Sequence, residues 1–261
     1  MLSRVRSLAA RWDLLYMLTW RDIAIKYKQS VMGFLWALLI PLVIVSAGVF
    51  LRAGMSILTG KPLALEDVAS VSVKAVPWAF IVSGIRFGTG SLVANATLVT
   101  KIYMPREIFP VASVLSQFVD FLVACVPLVV LLAVAKVGVS IELLWVPLVV
   151  VLLLAQVLAL GIVLSAGSLF FRDVKYLVEV VLTFAIFFTP VLYDADTFGR
   201  WRTVLLLNPV APPLVALAAT VVHHRPPDLP WLAYSGAVAL LCLMVALAFF
   251  KRVEPYFAEN I

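Results

Sequence analysis

Seven long runs of apolar residues constrain this chain more than any other feature: Val31–Leu51, Ala75–Thr100, Ile108–Ala135, Leu143–Phe171, Tyr176–Tyr193, Thr203–Val222 and Leu229–Phe250. A helix that crosses a bilayer needs roughly 20 mainly apolar residues. The only charges inside these runs are Arg86, Asp120 and Glu179. With 64% hydrophobic and 13% charged residues, the 261-residue chain leaves too little polar surface for a soluble fold. Its formal charge of +6 comes from short basic clusters between the runs, a pattern that suits membrane flanks and not nucleic acid. Cys125 and Cys242 both lie inside apolar runs, so neither a disulfide framework nor a cysteine metal site is expected.

Seven spans would put the basic N-terminal stretch (Arg4, Arg6, Arg11, Arg21, Lys26, Lys28) and the basic C-terminal pair (Lys251, Arg252) on opposite sides of the membrane. Six spans agree better with the excess of cations on the cytoplasmic side. The run to demote is Thr203–Val222, because Asn208-Pro209 and Pro212-Pro213 interrupt helical hydrogen bonding near its middle. The expected fold is therefore an all-α integral membrane protein. Its spans lie near 31–53, 75–99, 107–135, 143–170, 175–193 and 229–250, with an amphipathic interface helix in 1–30 and a re-entrant helical segment over 197–222. With both ends cytoplasmic, twelve basic residues lie inside and seven outside, Arg52 and Lys74 among the outer ones. Leu143–Phe171, 29 residues without a charge, would reach roughly 43 Å as a helix and should tilt or project. Residues 1–30 lack the uninterrupted apolar core of a signal peptide.

Most chemistry is excluded by what the runs do not contain. Gly54–Lys61 is a poor Walker A loop, with five residues between its glycines and Pro62 where a magnesium-binding Ser or Thr should stand. No cofactor or metal is expected on this chain; any ATP and magnesium belong to a partner. His223 and His224 sit beside Arg225-Pro226-Pro227 in an expected outer loop, away from other ligands. Asp194 and Asp196 read as helix caps at the membrane edge. Trp78, Trp145 and Trp231 read as interface anchors.

Leu8, Trp12, Leu15 and Thr19 recur at helical spacing among the N-terminal cations, as in a helix lying along the interface. Gly84 and Gly88 are spaced for close helix packing. If the inner turn centres on Tyr103, Arg86 lies 17 residues before it and Asp120 lies 17 after it, so an antiparallel hairpin would set both at one depth. Each alone costs about 2.5–3.5 kcal/mol at a helix centre, which favours mutual pairing over exposure to lipid.

Four stretches resemble the permease subunits of ABC type-2 exporters, in the branch that moves O-antigen, capsular polysaccharide and teichoic acid. They are Trp20–Trp36 followed by Pro41; Asn95 with Lys101-Ile102-Tyr103-Met104-Pro105-Arg106-Glu107 and Pro110; Phe171–Tyr176 continuing to Thr189–Tyr193; and Leu207-Asn208-Pro209. The family often carries an aromatic where Met104 stands. The resemblance implies a homodimer of six-span subunits in a bacterial cytoplasmic membrane, joined to two separate ATPase subunits, exporting a lipid-linked glycopolymer without being an enzyme itself.

On that basis Lys101–Glu107 is expected to couple to the ATPase. Arg21, Lys26, Tyr27 and Lys28 are expected to guard the substrate entrance, and Leu206, Asn208, Pro209 and Val210 to form an outer gate. A sugar polymer slides best over aromatic faces, and the candidates are Phe34, Trp36, Phe80, Phe87, Phe118, Phe121, Phe187 and Phe188. The rivals are a small-molecule exporter of the same fold and an ion-coupled carrier using Arg86 and Asp120.

Overall fold

A computed structural model describes residues 12–28, 35–59, 64–101 and 104–259, and among them every regular element is helical. In chain order these are α1 (Trp12–Lys28), α2 (Leu35–Thr59), α3 (Leu65–Ala94), α4 (Ala96–Lys101), α5 (Ile108–Val134), α6 (Val146–Phe170), α7 (Val174–Ala185), α8 (Arg202–Leu206), α9 (Ala211–Val221) and α10 (Leu229–Val253). Single turns of 3₁₀ helix cover Ile141–Trp145 and Ile186–Phe188, and further 3₁₀ stretches cover Ala195–Trp201 and Glu254–Glu259. Four helical stretches are long and apolar enough to cross a membrane: Leu65–Ala94, Ile108–Val134, Ile141–Phe170 and Leu229–Phe257. The chain is thus a multi-pass membrane protein. Within α2, Leu38–Gly54 forms a shorter apolar helix.

The centre of the bundle is α3, which packs against α5, α6 and α2. Most of it is buried, and its apolar residues are not confined to one face. Close approach to α6 depends on glycine. A methyl group on Gly84 would meet Val157 at 2.5 Å, and one on Gly88 would lie 3.0 Å from the Gly161 backbone. The expected role of Gly84 and Gly88 in packing is thereby located.

Several boundaries differ from the sequence expectation. The second span begins at Leu65 and not near residue 75, because Asp67 accepts from the Ala64 N–H at 3.1 Å and closes the first turn ahead of the apolar run. It breaks at Asn95, whose side chain donates back to the Ser91 carbonyl at 2.8 Å. The expected fifth span, 175–193, is regular only to Ala185. It tightens into a 3₁₀ turn and stops at Thr189-Pro190, so it falls short of roughly 20 helical residues. Trp78 is not an interface anchor: only 4% of it is exposed, inside the main core. The unbroken fourth run is a 3₁₀ turn followed by a helix that starts beside Pro147.

Two clusters of buried side chains hold the bundle. One joins α3, α5, α6, α7 and α9 and includes Phe80, Phe121, Val157 and Leu214. The other joins α1, α5, α6 and α10 through Leu15, Leu18, Phe109, Ile162 and Phe250. In α1, Leu15 and Leu18 face inward while Trp12, Tyr16 and Trp20 are exposed. The docking face is therefore not the Trp12–Leu15–Thr19 stripe, and Leu8 lies outside the described residues.

Candidate functional site

The side chains of α1 reach into the bundle. Lys26 and Tyr27 both bind the carboxylate of Asp120 on α5, and Lys26 also donates to Gln117 at 3.1 Å. The Tyr27 phenol is pushed above its ordinary value, by burial first and then by its bond to Asp120 and that carboxylate's charge. One turn back along α1, Arg21 donates to Asn95 at 2.7 Å, and Asp22 accepts from Ser113 at 3.3 Å. These bonds fasten α1 across the ends of α3 and α5.

Between α1, α2, α3 and α5 lie two adjoining cavities of about 210 and 620 Å³, which share Lys26, Arg86, Phe87 and Gln117 as wall. The Phe87 ring lies under Lys26, 5.4 Å from its ammonium group, and is half exposed. Deeper in, Phe80 and Phe121 line the smaller cavity. Together with Phe118 they form an aromatic trio with centroids 5.5–5.6 Å apart. The cleft therefore offers flat apolar faces, a cationic rim and amide donors and acceptors.

At the opposite end the helix breaks at Leu207-Asn208-Pro209 between the short helices α8 and α9. A broken backbone in a membrane must be satisfied from within the protein, and the carbonyls of Leu207, Asn208 and Pro209 each find a donor. Pro209 O accepts from Gln156 at 2.8 Å and from Ser235 at 2.7 Å, and Leu207 O accepts from Tyr234 at 2.9 Å. Asn208 donates to Thr189 at 3.0 Å and accepts from the Val210 N–H at 3.2 Å. Leu206 is 1% exposed. Residues 201–222 thus form two short helices anchored to α6 and α10.

Over residues 13–222 the sequence matches the model of the family described as ABC-2 type transporter. The chain belongs to that family. It is similar along its whole length to the O-antigen export system permease protein RfbA of Myxococcus xanthus, 28% identical over 269 residues that cover 100% of both chains. It is also similar to the protein of the same name from Klebsiella pneumoniae, 24% identical over 254 residues and 95% of each chain.

In this ABC-2 chain the expected ion pair is re-partnered. Arg86 makes two bonds to Glu179 on α7, at 2.6 and 2.7 Å, while Asp120 is taken by Lys26 and Tyr27. Both line the smaller cavity, yet each has another partner, so equal spacing from the turn does not make them a pair. Of the expected entrance residues, Arg21 and Lys26 line the cleft, Tyr27 supports it through Asp120, and Lys28 is exposed and lines none of the described cavities. Among the expected path aromatics, Phe80, Phe87 and Phe121 line the cleft and Phe118 backs it. Phe187 and Phe188 are exposed and line none of the described cavities. Phe34 and the side chain of Trp36 lie outside the described residues.

In the expected coupling turn, Arg106 does not project freely. It donates to the Glu254 carbonyl at 2.6 Å and stacks 5.8 Å from the Phe257 ring. Glu107 is buried, Met104 packs into the second core, and Pro105 is half-buried. Ile102, Tyr103 and the side chain of Lys101 are outside the described residues.

One cluster was missed by sequence reasoning. Lys74, assigned to an outer loop, is 1% exposed within α3 and donates to Asp194 at 2.9 Å and to the Tyr193 carbonyl at 2.8 Å. Arg52 of α2 binds Asp67 and also Asp194, the latter at 2.7 Å, and Ser70 reaches Asp194 at 3.3 Å. Asp194 therefore ties three elements together and makes no side-chain cap. Burial raises its pKa, but Lys74 and Arg52 outweigh burial and hold the carboxyl below its ordinary value. The signal lay in the spacing of Asp67, Ser70 and Lys74, which share one helix face.

The double bond to Pro209 O makes a graded prediction. Gln156→Leu should change thermal stability by less than about 1 kcal/mol, because Ser235 still serves the carbonyl and the buried, unpartnered Gln156 Oε1 is removed as well. Combining it with Ser235→Ala strips both donors, and should cost about 1–3 kcal/mol and make a cysteine at Val210 reactive to polar thiol reagents. Equal reactivity in the single and double variants would contradict the assignment.

Proposed function

We propose that this chain is the transmembrane permease half of an ATP-driven exporter that moves a lipid-linked polysaccharide across the bacterial cytoplasmic membrane. The polymer is of the O-antigen, capsule or teichoic-acid kind. The observation that carries the reading is similarity along the whole chain to permeases named for O-antigen export. An aromatic cleft with a cationic rim supports it, since such walls hold a polyhydroxylated, phosphate-bearing substrate without fixing one register.

In this reading two copies assemble with two ATPase subunits, which hold ATP and magnesium, and the 101–107 turn meets them chiefly through Ile102 and Tyr103. Six spans place both termini in the cytoplasm, α1 flanks the entrance, and 194–222 closes the outer end. Deleting the gene should trap lipid-linked polymer on the inner face. Re-expression of this chain should restore surface polymer only when the partner ATPase is active. Normal surface polymer in the deletion strain, with sensitivity to small toxic compounds instead, would assign drug export. Export that persists without ATP hydrolysis but stops when the proton gradient is collapsed would assign an ion-coupled carrier.

A further inference from the structure

We propose that the outer end of the subunit carries a second saccharide site, separate from the cleft, in the cavity bounded by Arg202, Arg225, Asp196, Asp228 and Trp231. This cavity is about 260 Å³, is floored by apolar residues of α8 and α9, and has the Lys74–Asp194 pair at its edge. It shares no lining residue with the cleft, although α3 borders both.

Its chemistry selects the ligand class. Carboxylates and cations share one small space: Arg202 lies 3.1 Å from Asp228 and 2.7 Å from Asp196, and Asp194 and Lys74 also line it. An anion entering here would meet three carboxylates, and a cation would meet two guanidinium groups and the Lys74 ammonium. A neutral polyhydroxylated molecule satisfies both kinds of wall, because each hydroxyl donates and accepts. One donor is available for it: Arg225 lines the cavity and makes no ion pair among the described residues.

The third requirement of a sugar site, a flat apolar face, is supplied by Trp231. Its ring is held edge-on to Tyr234 with centroids 5.8 Å apart, and Tyr234 is itself fixed by its bond to the Leu207 carbonyl. The platform is therefore set by the same residues that satisfy the helix break. That the natural occupant is the emerging end of an exported polymer rests on the export reading; the affinity for neutral sugar does not.

The test uses the full chain in nanodiscs and, as probe, neutral lipid-free oligosaccharides released by mild acid from the envelope of the producing cell. Binding is followed by saturation-transfer NMR. The expected result is a dissociation constant of about 1 mM or tighter, weakened about fivefold to tenfold by Trp231→Ala, little changed by Trp231→Phe, and weakened several-fold by Arg225→Gln. Inorganic phosphate should not compete. Elution volume and melting temperature confirm that each variant is folded. Absence of binding, equal binding by Trp231→Ala, or displacement by phosphate would each overturn the site. If the sugars bind as expected while the deletion strain still exports polymer normally, the export reading fails and the site stands.

Discussion

Asp194→Leu should reduce the yield of folded protein to under about a tenth of the parent, because it strands the Lys74 ammonium in a position that is 1% exposed. Removing one partner of a fully buried pair costs about 3–5 kcal/mol, and with the Asp194 side chain 40% exposed the loss falls toward the lower end of that range, still a large part of the stability of a domain. Arg52 keeps Asp67 and tolerates the change better. The compensating test is Lys74→Met in the same chain, which removes the stranded charge and should recover part of the yield, although the Tyr193 carbonyl then loses its donor. Size-exclusion yield and thermal unfolding in detergent read the outcome. Normal folding of the single variant, or no recovery in the double, would show that the cluster does not hold the fold.

The second large effect concerns α1. Asp120→Leu removes the acceptor that Lys26 and Tyr27 share, and hydrogen bonds to charged groups contribute about 1.5–3 kcal/mol each. The bundle should still fold, since the apolar seams of α3, α5 and α6 are untouched, but α1 should lift from its seat. Cysteines at Asp22 and Ser113, which touch at 3.3 Å in the parent, give the readout in a background with Cys125 and Cys242 changed to Ala. Bridging by a short bifunctional thiol reagent should fall several-fold, and export about tenfold. Unchanged bridging together with unchanged export would remove α1 from the entrance.

What could be read in advance follows from what apolar periodicity and charge encode. Long apolar runs with at most one charge marked α5, α6 and α10 closely, because most of each run favours helix. The first ten residues of α3 were hidden because Glu66, Asp67 and Lys74 lower the local hydropathy, although the fold buries Lys74 by supplying Asp194 from 120 residues away. Arg86 and Asp120 show a related limit. Distance from a turn sets depth but does not fix the partner, which is Glu179 for one and Lys26 for the other. The prolines at 209, 212 and 213 did mark the helix break, whereas Gln156, Ser235 and Tyr234, which satisfy its carbonyls, carry no local pattern that would reveal the role.

The glycine contact between α3 and α6 has a mechanical consequence. With Gly88 and Gly161 backbone to backbone and Val157 seated over Gly84, the contact leaves little room for either helix to slide, and the two behave as a single rigid spar. On the export reading proposed above, a widening falls instead where α7 meets α3, with the Arg86–Glu179 contact as a removable tether.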